Sequence, residues 1–184
     1  MKVLVTGAAG FIGSKTVDEL HDLGHDVISI DNESATSNEK FYWHKKVRGW
    51  KHDICDAGAI DAVFAYHKPD AVLHCAAQAR IQIGFDSPLD TYKTNYLGTV
   101  TLLEACIEHK CKRFVFASTS SSYGLANDIP LREDYKTDCL TPYSISKVAA
   151  EKACKDYHKN WGLETMTLRY FNVYGDRQPI KGPY

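Results

Sequence analysis

The stretch Gly7-Ala8-Ala9-Gly10-Phe11-Ile12-Gly13 decides the fold. It stands between an apolar, valine-containing run at residues 2–6 and a segment with helical periodicity at residues 11–23. A G-x-x-G-x-x-G pattern in that position is typical of a dinucleotide-binding loop. Its first glycine permits the tight turn, its second lets the backbone approach a pyrophosphate, and its third lets helix and strand pack closely. We therefore expect the three glycines to hold phosphates at the positive end of a helix, the alternative being a glycine-rich turn without a ligand.

Segments with strand and helix patterns alternate along the rest of the chain. Helical periodicity predicts helices over residues 11–23, 56–67, 87–109 and 142–161. Apolar runs rich in valine and isoleucine predict strands at residues 2–6, 26–30, 47–53, 70–75, 113–118 and 164–170. This alternation predicts an α/β fold, a doubly wound parallel sheet of the Rossmann type, with helices on both faces. Ligands of that fold bind at the carboxyl ends of the strands.

Composition limits the function. The 184 residues are about one domain, and 22 Lys+Arg against 23 Asp+Glu leave a net charge of -1. No basic stripe indicates nucleic acid or an anionic membrane, so neither partner is expected. The six cysteines lack C-x-x-C spacing and are interpreted as reduced packing residues, with no metal site. Gly7 and Gly10 interrupt the apolar N-terminus, which argues against a signal peptide, and no segment approaches a membrane span. We expect a cytoplasmic protein.

An acidic residue follows the second predicted strand. Asp31 stands eighteen residues after Gly13, where a carboxylate accepts hydrogen bonds from the adenosine ribose of a dinucleotide. It would repel a 2′-phosphate, and the neighbouring Asn32 and Glu33 offer no arginine to receive one. The sequence therefore predicts NAD as the cofactor in preference to NADP, the alternative being an ordinary loop acid. Further cofactor contacts are expected where the next strands end, from Asp53, Ile54, Cys75, Ala76 and Ala77.

Three residues in the second half of the chain predict a catalytic site. Tyr143 and Lys147 form a Y-x-x-x-K on a predicted helix, and this spacing puts phenol and ammonium on one helical face. A free tyrosine has a pKa of about 10, and a nearby cation favours the phenolate, which makes the side chain a usable base. Thr119, at the end of the fifth strand, is expected to hydrogen-bond the same substrate oxygen. The alternative is a solvated Tyr/Lys pair.

These motifs, with residues 118–124 and the run Arg-Tyr-Phe-Asn-Val-Tyr-Gly at 169–175, resemble the extended short-chain dehydrogenase/reductase family along the whole chain. Within it the chain is most similar to nucleotide-sugar 4-epimerases. The resemblance implies that Lys147 also holds the nicotinamide ribose. It implies a substrate contact from Asn172 to the nucleotide-sugar phosphates, alongside Thr119 and Tyr143. Arg80, after the fourth strand, is either a further substrate contact or a surface arginine. The other cofactor contacts expected with the resemblance are Phe11, Ile12, Asn32, Asn95 and Phe171.

The activity that the resemblance implies is NAD-dependent epimerisation at C4 of a nucleotide sugar, a UDP-hexose, through a transient 4-keto sugar. Ser120 and Ser121 stand where family members that dehydrate sugars carry acids, which argues against a dehydratase or decarboxylase. Two alternatives stay open, another NAD-dependent sugar oxidoreductase and a non-catalytic NAD-binding module.

Family members are longer than this chain. The resemblance therefore implies an NAD-binding Rossmann domain with the catalytic triad at residues 1–175 and the start of a substrate-binding segment at 176–184. The small C-terminal substrate domain would be largely absent. The predicted helices 87–109 and 142–161 resemble those through which family members form homodimers.

Overall fold

A single parallel sheet forms the centre of the molecule, for which the computed structural model describes residues 1–35, 38 and 40–180. Its six strands stand in the order β3-β2-β1-β4-β5-β6, and every pair is parallel. This confirms the predicted doubly wound fold, in which the order reverses between β1 and β4. The strands are β1 (Lys2–Thr6), β2 (Asp26–Ile30), β3 (Arg48–Trp50), β4 (Ala71–His74), β5 (Arg113–Thr119) and β6 (Glu164–Tyr170).

Six α-helices flank the sheet in the described residues. The helix α6 begins with a capping box between Thr141 and Ser144, has Pro142 in its first turn and ends at Gly162 in the left-handed region, with φ of 74°. These signals place both of its ends where the sequence predicts them. The helices are α1 (Phe11–Asp22), α2 (Ala57–His67), α3 (Ile81–Asp86), α4 (Pro88–Tyr92), α5 (Gly98–Glu108) and α6 (Pro142–Trp161).

The structure differs from the predicted elements in the middle of the chain. The single helix predicted over 87–109 is α4 and α5 joined by a π-helical turn, Lys93–Leu97, without leaving right-handed helical backbone. The short α3 is not predicted at all, because six residues show less than two turns of periodicity. β3 is shorter than the predicted strand, because it lies at the sheet edge and pairs with β2 over three residues only.

The two faces of the sheet carry separate apolar clusters. Leu4, Ile28 and Phe114 point to the face covered by α2, α5 and α6, which holds the larger core. The alternating residues Val3 and Val5 pack on the other face with Val17 of α1. The helices therefore leave the carboxyl ends of the strands open. No helix of the described part of the chain combines the length and apolarity needed to cross a membrane.

On the α1 face the sheet is covered unevenly. Val115 on β5 is paired with Met166 on β6, and Ala117 with Leu168. Met166 is 57% exposed, and the other three are partly exposed. Within the described residues, these four side chains form a partly exposed apolar surface on the α1 face of the sheet.

Candidate active site

A cavity of about 340 Å³ opens at the carboxyl ends of the strands. It contains most of the residues that the sequence predicts for the cofactor and the chemistry, although these come from loops spread over the whole chain. Those in its wall are Gly7, Gly10, Phe11, Ile12, Gly13, Asp31, Asn32, Ile54, Cys75, Ala76, Ala77, Arg80, Thr119, Tyr143, Lys147 and Phe171.

The glycine loop forms one side of this cavity, and its geometry requires glycine at two positions. Gly7 has φ of +66°, and a Cβ there would lie 2.7 Å from the Ala76 backbone nitrogen. A Cβ on Gly13 would lie 2.0 Å from the Gly7 carbonyl oxygen, so the third glycine permits the close packing of α1 on the loop. Gly10 caps α1 without a side-chain hydrogen bond, so no side chain fills the positive end of the helix.

Asp31 is held against the glycine loop from the end of β2. Its Oδ2 accepts a hydrogen bond from the Ala9 amide at 3.0 Å, and its Oδ1 accepts one from the Glu33 amide at 2.7 Å. The side chain is buried, with 9% of its surface exposed. The carboxylate is thus fixed beside the loop, and each oxygen keeps a lone pair for a further donor.

The three predicted catalytic residues line the same cavity and come from β5 and α6. Thr119 is the last residue of β5, and its Oγ1 accepts a hydrogen bond from the Ser121 amide at 3.1 Å. Tyr143 lies in the first turn of α6, against which α3 packs: a Cβ on Gly84 would be in ordinary van der Waals contact with the Tyr143 nitrogen, at 3.5 Å. The helix α3, which sequence reasoning missed, therefore supports the tyrosine.

Lys147 lies one helical turn after Tyr143 and is 2% exposed. Its ammonium is 4.2 Å from the centroid of the Phe116 ring, within the range of a cation–π interaction. Burial lowers the pKa of Lys147 to about 8. The side chain is therefore a cation near neutral pH and loses its proton more easily than an exposed lysine.

Three predicted site residues are absent from the described wall of the cavity. The Asp53 carboxylate accepts hydrogen bonds from Asn32 Nδ2 at 2.9 Å and from the Cys55 amide at 2.8 Å. The buried Asn95 amide in the π-helical turn accepts from the Gln78 nitrogen and donates to the Gln78 oxygen and to Ser146 Oγ. Asn172 is exposed after β6. Asn95 thus connects the loop after β4 to α6.

A buried hydrogen-bond chain lies beneath the cavity and is centred on His74. Thr99 Oγ1 donates its proton to the Asn95 carbonyl at 2.7 Å, so it must accept from His74 Nε2 at 3.0 Å. Thr6 Oγ1 accepts from the Ala76 amide and donates to His74 Nδ1 at 2.6 Å. The ring is therefore neutral with its proton on Nε2, and burial holds the pKa of His74 well below its usual value.

A buried ion pair lies behind the catalytic residues. Glu151 on α6 is 3% exposed and accepts two hydrogen bonds from the Arg169 guanidinium of β6, at 2.9 and 2.7 Å. Its Oε1 also accepts from Ser118 Oγ at 2.5 Å. The Arg169 guanidinium lies 4.8 Å from the centroid of the Tyr123 ring, which stacks on Phe171. The runs 118–124 and 169–175 contain Ser118, Tyr123 and Arg169, but no pattern in the sequence indicated Glu151 as their partner.

Sequence reasoning also missed about half of the cavity wall. Some of these residues follow a strand directly, and the position of the strand end is the signal that would have found them. Others lie in the irregular crossover after β2 or in the last described residues, where neither periodicity nor a motif marks them. The missed residues are Ile30, Ser34, Ala35, Asn38, His52, Ala79, Ile81, Thr94, Ala117, Ser118, Tyr170, Val173, Gln178 and Pro179.

Comparison with known proteins shows to which family the chain belongs. The sequence matches the NAD dependent epimerase/dehydratase family over residues 3–183. The chain belongs to that family. UDP-glucose 4-epimerase of Rhizobium meliloti is 39% identical over 173 residues, which are 94% of this chain and 52% of that protein. The chain thus spans about half the length of this curated epimerase.

Solved structures of epimerases have the same fold. UDP-glucose 4-epimerase of Thermus thermophilus, in complex with NAD, superposes with a TM-score of 0.93 at 36% identity, covering 99% of this chain and 58% of that one. UDP-glucose 4-epimerase of Thermotoga maritima, with UDP-glucose, superposes with a TM-score of 0.92 at 37% identity, covering 97% and 58%. The family resemblance expected from the motifs is thereby confirmed.

Proposed function

We propose that the chain binds NAD in the described cavity and carries the catalytic residues of a nucleotide-sugar 4-epimerase. One observation supports this most directly. The glycine loop with Asp31, and Thr119 with Tyr143 and Lys147, line the same cavity although they come from opposite halves of the sheet. A site for hydride transfer needs this combination, because the base must lie beside the redox-active end of the cofactor.

The residues of the cavity fit a dinucleotide. The end of α1 that faces it has no side-chain cap, and a Cβ at position 7 or 13 would collide with the backbone of Ala76 or Gly7 and distort the loop. Backbone amides at a helix N-terminus bind phosphate well. The Asp31 carboxylate fits a ribose diol and disfavours a 2′-phosphate. We therefore propose that Gly7, Gly10 and Gly13 hold the pyrophosphate and that Asp31 holds the adenosine ribose.

The chemistry divides between cofactor and chain. Bound NAD supplies the redox step, because it accepts a hydride from C4 of the sugar and returns it. Tyr143 accepts the proton of the 4-hydroxyl group and later gives it back, and Lys147 stabilises the phenolate as a neighbouring cation. Because Thr119 Oγ1 accepts from Ser121, its own proton is available for the same sugar oxygen. For the configuration at C4 to invert, the transient 4-keto sugar would have to present its other face before hydride is returned to C4 and the proton to its oxygen.

Two features separate this proposal from its alternatives. Ser120 and Ser121 line the cavity where a dehydratase needs an acid and a base, and a hydroxyl at its ordinary pKa is neither. A net sugar oxidoreductase would have to exchange its cofactor after each turnover, whereas an epimerase regenerates it. A non-catalytic NAD-binding module has no need of the buried Lys147 beside Tyr143.

The substrate class follows from the relatives. The similarity to UDP-glucose 4-epimerases supports a UDP-hexose as the substrate. The proposed contacts for the nucleotide sugar are Arg80, in the cavity wall, and Asn172, which follows β6. We further propose that residues 1–175 form the NAD-binding domain and that 176–184 begin the substrate-binding segment.

The assembly and the compartment are also proposed. Leu89, Leu97 and Ile145 are 77%, 54% and 44% exposed, and they lie on segments 87–109 and 142–161. Exposed apolar residues on these helices support a homodimer formed through them. All six cysteines are free, which supports a reducing, cytoplasmic location.

Two measurements test the function. Calorimetric titration with NAD⁺ tests the cofactor, and incubation of the chain, and of any longer form of the protein, with a panel of UDP-sugars tests the reaction. Interconversion of C4 epimers by a longer form, followed by the anomeric protons in NMR spectra, is the expected result. Net accumulation of NADH would instead identify a dehydrogenase, and NAD⁺ binding without turnover by every form would identify a binding module.

A further inference from the structure

Glu151 stands at a junction that the proposed chemistry does not use. Tyr143, Lys147 and Glu151 are spaced four residues apart on α6 and therefore share one face of the helix. The first two line the cavity, and the third lies one turn deeper, where it is almost completely buried. A buried carboxylate is costly unless each oxygen has a partner.

The partners of Glu151 come from the two strands that end at the cavity. Ser118 of β5 precedes Thr119, and Arg169 of β6 lies two residues before Phe171. The carboxylate thus joins α6, β5 and β6 at the point where each contributes a residue to the cavity wall. A change at Glu151 would shift three parts of the wall together.

We infer that Glu151 is a positioning residue that holds the nicotinamide half of the proposed NAD site in shape. This inference rests on the proposed function for the identity of the ligand. It assigns no contact between Glu151 and the cofactor, since the carboxylate acts through Ser118, Arg169 and the helical turn to Lys147. The adenosine half of the site belongs to β1, β2 and α1, on the other side of the strand order, and does not depend on Glu151.

The negative charge of Glu151 has a second effect, on the protonation of Lys147. The titratable groups that face Lys147 are His74 and Cys75 from β4 and its loop, and Glu151 and Cys154 on α6. Burial keeps His74 uncharged and raises the pKa values of both thiols to about 12. The Glu151 carboxylate, which pairs with Arg169, favours the protonated form of Lys147 and so raises the pKa of this lysine.

The experiment compares two ligands in one set of variants. ADP occupies only the adenosine and pyrophosphate half of the proposed site, whereas NAD⁺ occupies both halves. We expect Glu151→Gln to weaken NAD⁺ binding about tenfold or more, by calorimetry, and to leave ADP affinity within about twofold. Tyr157→Phe is the control, because it removes the hydrogen bond that Tyr157 of α6 donates to Glu104 of α5, neither of which lines the cavity, and it should change neither affinity.

The pH dependence of binding supplies a readout that a purely structural role would not move. NAD⁺ affinity of the unmodified chain should fall as pH rises through about 8, when Lys147 loses its proton. In Glu151→Gln this midpoint should move to lower pH, because the negative charge that favours protonated Lys147 is gone. Glu151→Asp keeps the charge and should keep the midpoint.

The outcomes separate the inference from the proposed function. Equal weakening of both ligands by Glu151→Gln, or no weakening with an unmoved midpoint, would overturn the positioning role. If Glu151→Gln does not fold, Ser118→Ala decides, since it keeps the ion pair and removes one hydrogen bond. Ser118→Ala should weaken NAD⁺ about threefold with ADP unchanged, and an unchanged ratio would overturn the inference. An unmodified chain that binds NAD⁺ no better than ADP would overturn the proposed function itself.

Discussion

The Asp31 carboxylate is anchored by the Ala9 and Glu33 amides without help from a ligand. A ribose 2′-phosphate would meet this fixed negative charge, whereas ribose hydroxyls would donate to it. We therefore predict that NAD⁺ binds at least about tenfold more tightly than NADP⁺, a difference of about 1.4 kcal/mol. Calorimetric titration with both cofactors measures the ratio, and Asp31→Asn should reduce it. Equal or tighter NADP⁺ binding would show that Asp31 does not select the cofactor.

Substitutions of Tyr143 and Lys147 should have different effects on NAD⁺ affinity and on turnover. Tyr143→Phe removes a proton carrier that anchors little of the dinucleotide, so turnover should fall about 100-fold or more while NAD⁺ affinity stays within about twofold. Lys147→Ala should damage both, because its ammonium is proposed to serve the phenol and the ribose. Affinity is measured by calorimetry and turnover in a form that epimerises a UDP-sugar. A Tyr143→Phe variant that keeps most of its rate would remove the tyrosine as the base.

Residues in recognisable motifs could be predicted from the sequence, and residues that act through packing could not. Gly13, Asp31 and Tyr143 carry their chemistry in their spacing. Glu151 and Arg169 meet across 18 positions of sequence and become partners only because α6 lies over β5 and β6. The hydrogen bonds of the Asn95 amide to Gln78 and Ser146 could not be predicted either, and its contact to the cofactor, expected with the family resemblance, stays a prediction.

At the scale of elements, α1 packs closely against the glycine loop, and a single added methyl group tests this contact. A Cβ on Gly13 would lie 2.0 Å from the Gly7 carbonyl oxygen, so either the helix or the loop must move. We predict that Gly13→Ala costs about 1–3 kcal/mol of unfolding free energy and reduces NAD⁺ binding severely. Chemical denaturation and calorimetry measure the two effects.

The matched control is Gly58→Ala in α2, where the new Cβ would lie 3.6 Å from Asp56 Oδ1, an ordinary contact. It should leave NAD⁺ binding unchanged and stability equal or slightly higher. Unimpaired binding in Gly13→Ala would mean that the close packing of α1 is not needed to shape the loop.

Long elements with strong patterns were predictable, and irregular ones were not. β1, β2, β6 and α6 have the bounds that the sequence predicts. The π-helical turn was missed because it keeps right-handed helical backbone and a helical apolar pattern, and only its hydrogen bonds differ. α3 packs against α6, a contact that no local pattern records.

For the whole molecule, the described cavity offers more to a cofactor than to a sugar nucleotide. The groups proposed for the sugar nucleotide are Thr119, Tyr143, Arg80 and Asn172, whereas the relatives have about twice this length. Contacts to the remote nucleotide normally help to fix the reacting carbon, so their scarcity should lower the rate as well as the affinity. We predict that a polypeptide of these 184 residues binds NAD⁺ but shows no measurable epimerisation. Rapid turnover of a UDP-sugar, assayed by NMR, would show that the site is sufficient by itself.

Because His74 is buried in its neutral form, the unfolding free energy of the protein should depend on pH. In the unfolded chain this imidazole binds a proton below its ordinary pKa of 6.5, whereas the folded chain, which buries it between Thr6 and Thr99, does not. Proton uptake therefore accompanies unfolding, and the unfolding free energy should fall by about 1 kcal/mol per pH unit below 6.5 for this one group. His67, whose pKa burial also lowers, acts in the same direction. Urea denaturation between pH 5 and 7.5 measures the slope, which His74→Asn should reduce. An identical slope in that variant would mean that the proton taken up on unfolding goes elsewhere.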